Sequence, residues 1–186
     1  MRAQMGRHFV EALDLEDRVI AGDLAGARAA GAGLAAVVVA PGFPDLWRPW
    51  LADTKAAGEA AANAKDLPTA AAATAEAMLS CGECHSATGG GPHWDVPEAP
   101  SGPAMTVHRF GASWMGYGLI TASDDAWTKG ASALIASPIP TEGPGGLEVR
   151  VRGLAVQAKA TTDPETRARL WAELLTTCAT CHATAR

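Results

Sequence analysis

The sequence is poor in aromatic residues. Only 5% are Phe, Trp or Tyr, and six of those ten rings are tryptophan. Large rings therefore cannot fill an ordinary core, and much of the 48% apolar share is alanine, which lets helices approach closely but fills little volume. Long apolar runs are also missing. The longest candidate, Leu34 to Ala40, falls far short of the roughly 18 residues that would span a bilayer. There is no basic excess: 15 Lys and Arg stand against 20 Asp and Glu, a net charge of −5, which weighs against a nucleic-acid partner because phosphate binding needs a basic footprint. Residues Met1 to Val10 carry Arg2, Arg7 and His8 with no apolar stretch after them, so no secretory signal is visible. Charged residues make up only 19%, which excludes a disordered polyelectrolyte and implies a compact, soluble chain. A length of 186 residues is short for two ordinary domains but suits two small units, each enclosing a prosthetic group that offsets the shortage of apolar side chains.

Cysteine is scarce but ordered. All four cysteines fall into two identical patterns, Cys81-Gly82-Glu83-Cys84-His85 and Cys178-Ala179-Thr180-Cys181-His182. This is the spacing of covalent haem c attachment. On a helix, positions i and i+3 share a face, so Cys81 with Cys84, and Cys178 with Cys181, can reach the two vinyl groups along one porphyrin edge. The next residue turns about 100° further, which brings His85 or His182 beneath the iron as proximal ligand. Two Cys-x-x-Cys pairs also suit a four-thiolate zinc site, but such knuckles sit much closer in sequence than Cys84 and Cys178. A thioredoxin-like dithiol needs a preceding strand, and neither motif follows one. Disulfides within each motif would leave the repeated histidine unexplained.

The residues before each motif repeat as well. Met5-Gly6-Arg7-His8 opens one half and Met105-Thr106-Val107-His108 the other. Steps of four, seven and eleven from His8 give Ala12, Leu15 and Val19; from His108 they give Ala112, Met115 and Leu119. Each half thus starts with an amphipathic helix carrying Met and His on its apolar side. Breaks with capping chemistry follow at Gly22-Asp23 and Ser123-Asp124. A second helix is expected from Leu24 to about Ala40, ending at Pro41-Gly42, and from Asp124 to about Ser137. Third helices are expected from Pro49 to about Lys65 and from near Leu147 after a loop from Pro138 to Gly146, and fourth helices from Pro68 and Pro164 into the motifs. The expected fold is all-α: two tandem four-helix-bundle-like units, 1–90 and 101–186, joined by a Gly/Pro-rich linker, 91–100. One continuous eight-helix core is the alternative. His93, in the linker, has no counterpart and reads as solvated. Trp114, Trp127 and Trp171 are expected near the second haem, and Trp47 and Trp50 near the first.

A Cys-x-x-Cys-His motif near the end of a four-helix unit, with the other haem face covered from the first helix, resembles the class II cytochromes c, the cytochrome c-prime group and its six-coordinate relatives. The only residue-level match is the motif itself, clearest at Cys181-His182, which only four residues follow. The resemblance implies two haem c groups with thioether bonds at Cys81, Cys84, Cys178 and Cys181, proximal ligation by His85 and His182, and a bacterial periplasmic setting whose export signal has been removed or replaced. It also implies that two copies can pair. This chain departs from the family in its shorter units, in their fusion, and in offering histidine beside methionine on the first helix.

Met5 and His8 lie three apart on one helix face, as do Met105 and His108, so one member of each pair can meet an iron. Histidine is favoured, because a buried ring nitrogen demands a hydrogen bond or a metal, whereas methionine packs in apolar gaps without one. Two haems closed by His8 and His108 make an electron-transfer protein with bis-histidine iron and a low reduction potential, serving redox partner proteins through an acidic surface that suits a basic docking face. The alternative is a binder of nitric oxide or carbon monoxide with at least one open distal side. An enzyme such as a di-haem peroxidase is disfavoured, because no distal acid–base pair accompanies the ligand candidates.

Overall fold

The computed structural model describes residues 2–36, 43–138 and 146–184, with side chains from residue 5 onward. Among them the chain forms eight α-helices: α1 (Arg2–Ile20), α2 (Leu24–Ala35), α3 (Arg48–Ala62), α4 (Leu67–Thr88), α5 (Ala104–Thr121), α6 (Asp124–Ala136), α7 (Leu147–Ala160) and α8 (Pro164–Thr184). A 3-10 turn, Asp45–Trp47, leads into α3. No strand occurs among the described residues, so the chain is all-α as its periodicity implies. The expected end of α2 at Pro41-Gly42 and most of the loop from Pro138 to Gly146 lie outside the described residues.

Local chemistry sets the helix starts. Asp23, Asp66, Ser123 and Asp163 each accept a hydrogen bond from the backbone N–H three residues on, at Gly26, Thr69, Ala126 and Thr166. Each thereby satisfies one donor that the first helical turn leaves unpaired. Pro49 and Pro68 occupy first turns, where a missing N–H costs nothing. The apolar stripe counted from His8 and His108 is buried: Ala12, Leu15, Val19, Ala112, Met115 and Leu119 are all in the core.

Helices α1 to α4 pack each against the next, with α4 returning to α1, and α5 to α8 repeat the arrangement. The two sets also interlock, for α4 lies along α8 and touches α5, while α1 reaches α8. Buried apolar residues from both halves form one cluster of which half is alanine. Small side chains allow that close approach. Helix α4 continues past the motif through Ser86, Ala87 and Thr88 and ends on the left-handed Gly89. The segment after it is packed down: Trp94 lies between Phe9 and Tyr117, with ring centroids 5.4 and 5.3 Å away, and Val96 is buried. His93 is exposed. Among the described residues no helix is long and apolar enough to cross a membrane.

Candidate functional site: two matched cavities

Two apolar cavities, of about 220 and 300 Å³, each gather one Cys-x-x-Cys-His motif and the opening helix of the same half. In the first, α4 contributes Cys81, Cys84 and His85, facing Met5, His8 and Ala12 of α1. In the second, α8 contributes Cys178, Cys181 and His182, facing Met105, His108 and Ala112 of α5. The walls match too. Trp50, Leu51 and Thr54 of α3 stand where Leu147, Glu148 and Val151 of α7 stand in the other cavity, at the same offset of 97 positions that relates the motifs. Phe9 and Arg109, like Met5 and Met105, are separated by 100. All ten site residues read from the sequence therefore line the cavity expected of them.

The orienting partner of each motif histidine comes from the other half. His85 Nδ1 lies 2.6 Å from the carbonyl oxygen of Ile120, at the end of α5, and His182 Nδ1 lies 2.6 Å from that of Ile20, at the end of α1. A carbonyl oxygen can only accept, so Nδ1 is the donor, and a neutral ring held this way has its lone pair on Nε2. That is how a metal-binding imidazole is usually held. These carbonyls are free for a local reason. The turns after both helices take up the preceding acceptors, Gly22 N–H bonding Val19 and Asp23 N–H bonding Arg18 at one end, Ala122 N–H bonding Leu119 and Ser123 N–H bonding Gly118 at the other. The carbonyls of Ile20, the last residue of α1, and of Ile120, the last but one of α5, are left for the histidines. Gly22 and Ala122 make these turns in left-handed conformation, with φ of 71° and 51°.

Burial governs the ionisation of the sites. It pushes the Cys81 thiol up to about 11, although a hydrogen bond from Thr54 opposes the shift, and the Cys178 thiol up to about 12. Cys84 and Cys181 are raised by the same cause. Such thiols stay protonated at neutral pH and lack the lowered pKa of a redox dithiol. Burial also lowers His8, helped by Arg7, and lowers His108, where Glu148 opposes it. Both rings are neutral at pH 7, as ligand imidazoles must be. Among the described residues no three His, Cys, Asp or Glu converge on one point as a metal cage. The two cysteine pairs occupy separate cavities, so a shared four-thiolate zinc site is not formed.

The two Met/His pairs differ: His8 is buried and Met5 partly so, whereas His108 is only partly buried and Met105 is 49% exposed rather than on the buried face. The tryptophans divide between the cavity walls and the core. Trp50 lines the first cavity. Trp127 and Trp171, however, are fully buried core residues outside the second, and Trp114 stacks edge-on against Tyr117 at 5.1 Å. Trp47 rests on Phe43 and lines an adjoining pocket with Met5, Cys84 and His85 of the first site. Trp94, in the linker, was not expected to reach a site and lines the first cavity. Ile20 and Ile120 also went unnoticed, although their identity at positions 100 apart was a usable signal. Comparison of the chain with protein-family models, with curated proteins and with solved structures returns no match.

Proposed function

We propose that the chain is a di-haem c-type cytochrome that transfers electrons, built as two four-helix units, α1–α4 and α5–α8, with one haem in each cavity. One observation carries this reading: two thiols, an imidazole with Nε2 free, and a facing Met/His pair are gathered in an apolar space twice, at matched positions. The residues fit the group. Thiols that resist ionisation suit conversion to neutral thioethers, and Ala12 and Ala112, one turn from each distal histidine, leave the wall flat. When bound, haem supplies reversible one-electron storage at its iron. Cys81, Cys84, Cys178 and Cys181 hold it, His85 and His182 bind from the motif side, and His8 and His108 close the other side in preference to Met5 and Met105. The neutral state and burial of His8 support that choice. Export to a compartment equipped for haem attachment, redox proteins as partners, and the absence of a catalytic role belong to the same proposal.

The test is maturation in a host that attaches haem c. Intact mass should rise by two haems, fall to one in Cys81→Ala/Cys84→Ala, and the oxidised protein should give bis-histidine low-spin spectra. Unmodified thiols or bound zinc in correctly matured protein would overturn the proposal, and a methionine-to-iron charge-transfer band would move the distal role to Met5 or Met105. A gas-binding second site has one observation in its favour: Met105, which lines the second cavity beside His108, is half in solvent. Fast carbon monoxide binding to one haem per chain would establish it.

A further inference from the structure

Glu16 plays no part in holding either haem, yet it is among the most deeply buried side chains, at 2% exposure, and neither carboxyl oxygen has a hydrogen-bond partner among the described residues. It projects from α1 toward α5 and α8. The counterpart position on α5 is Gly116, and a methyl group there would lie 2.9 Å from Glu16 Oε2 and 3.3 Å from Cζ2 of Trp171. Trp171 Nε1 is itself unpaired. The charged and titratable groups facing Glu16 are Asp17 on its own helix, Arg109 and Tyr117 on α5, and Cys178 on α8. Arg109 is engaged with Asp17 at 2.8 Å and half exposed, so it does not neutralise the buried carboxyl directly.

The position of Glu16 matters as much as its burial. It lies eight residues after His8 and four before Ile20, so helix rise places it about 12 Å along α1 from the first site's distal ligand and about 6 Å from the carbonyl that orients His182. A buried acid so placed would feel the charge of an iron held by His8 or His182 through protein rather than water. Burial, with Asp17 adding to it and Arg109 opposing it, pushes its pKa up to about 8.

We propose that Glu16 is a redox-linked proton site: electron uptake by the haems is accompanied by proton uptake at its carboxylate. The inference rests on the di-haem reading above. In the step, an external one-electron donor reduces ferric iron to ferrous, and the Glu16 carboxylate takes one proton from water to become the neutral acid; oxidation reverses both. A unit charge about 12 Å away, acting through an effective dielectric constant of about 20, changes proton affinity roughly tenfold. The uptake is therefore centred near and above pH 8, where the oxidised protein holds Glu16 partly ionised.

The experiment uses the matured di-haem protein and its Glu16→Gln variant, which keeps the shape of the neutral acid. Proton release or uptake on photochemical reduction is read with an indicator dye in weak buffer from pH 6 to 10, beside redox titrations over the same range. The wild type should take up protons with a maximum between pH 8 and 9, and its potentials should fall with rising pH there; Glu16→Gln should lose that feature. Glu16→Leu serves as a second non-titrating variant if the first folds poorly. Equal proton uptake and equal pH profiles in wild type and variants, with two haems present by mass, would overturn this inference alone. Protein carrying no covalent haem would overturn the reading beneath it as well.

Discussion

The two cavities share a plan but differ in finish, and the differences separate what any such site needs from what each one adds. Both keep the cysteines, the motif histidine, the Met/His pair, the alanine one turn on, and a helix-end isoleucine carbonyl from the opposite half. The first is then sealed by Phe9, Leu51 and the linker residues Pro92 and Trp94. The second has Arg109 and Glu148 at the positions of Phe9 and Leu51. Charge thus comes closer to the second site. The asymmetry extends to the central packing, where Glu16 on α1 faces Gly116 on α5, and to the contact between each motif helix and the turn it meets. There the small residue changes sides: Gly82 lies against Ala122 in one, and Ala179 against Gly22 in the other. Each close approach is relieved once.

The largest effect is expected from the central asymmetry. Folded protein holds the Glu16 proton up to about pH 8, whereas the unfolded chain releases it near 4.5. Between those values the folded state binds more protons, so this contribution to stability is fully present below pH 4.5 and lost as pH rises through 8, by roughly 5 kcal/mol at most. Urea unfolding at pH 5, 7 and 9 should show wild type losing stability relative to Glu16→Gln across that interval. Parallel profiles would mean that the carboxyl finds a partner in solution.

Next comes the contact at Gly82. A methyl group there would lie 2.0 Å from the carbonyl oxygen of Leu119, a backbone atom that cannot swing aside. Gly82→Ala should cost about 3 kcal/mol and displace α5, weakening the bond from His85 to Ile120, even though alanine is the natural residue at the matching position 179. Thermal unfolding of the two motif variants side by side makes the comparison sharp: Ala179→Gly should cost only about 1 kcal/mol, the ordinary helix penalty. Trp94→Ala follows. At 43% exposure the ring loses less than a core residue would, about 1–2 kcal/mol, but its removal unseals the first cavity only. Solvent-sensitive haem spectra should change at one site and leave the other as it was.

Much of this was legible in the residues. Capping aspartates and serine and first-turn prolines put the helix starts within a few positions, and the repeated motifs with the Met/His spacing single out ten residues that line the two cavities. What stayed hidden has a common physical cause, for it depends on contacts between distant elements that no residue type advertises. A backbone carbonyl at Ile20 or Ile120 looks the same whether it meets water or His182 and His85. Glu16 sits between Leu15 and Asp17 in a run that reads as a solvated acidic face, and only the approach of Trp171 and Gly116 buries it. Trp127 and Trp171 are fully buried, and Trp127 donates to the carbonyl of Ala158 at 2.7 Å, a partner 31 residues away that its own segment does not announce. Gly- and Pro-rich composition spoke for a loose linker, while one ring, Trp94, anchors it between Phe9 and Tyr117.

The smallest effect tests the exchange of small residues most directly. Ala122 adopts φ of 51°, the one non-glycine residue with positive φ among those described, whereas its counterpart Gly22 makes the same turn without the penalty of a side chain. A left-handed alanine costs roughly 1–2 kcal/mol of backbone energy, and glycine in its place returns much of that while adding chain entropy to the unfolded state. Ala122→Gly should therefore raise stability by up to about 1 kcal/mol, readable as a higher urea midpoint with unchanged slope. The gain should persist in a variant that also carries Ala179→Gly, because the two positions serve different cavities. A loss of stability instead would mean that the Ala122 methyl group contributes packing against α4 that outweighs its strain, and the two turns would then be matched in path but not in energy.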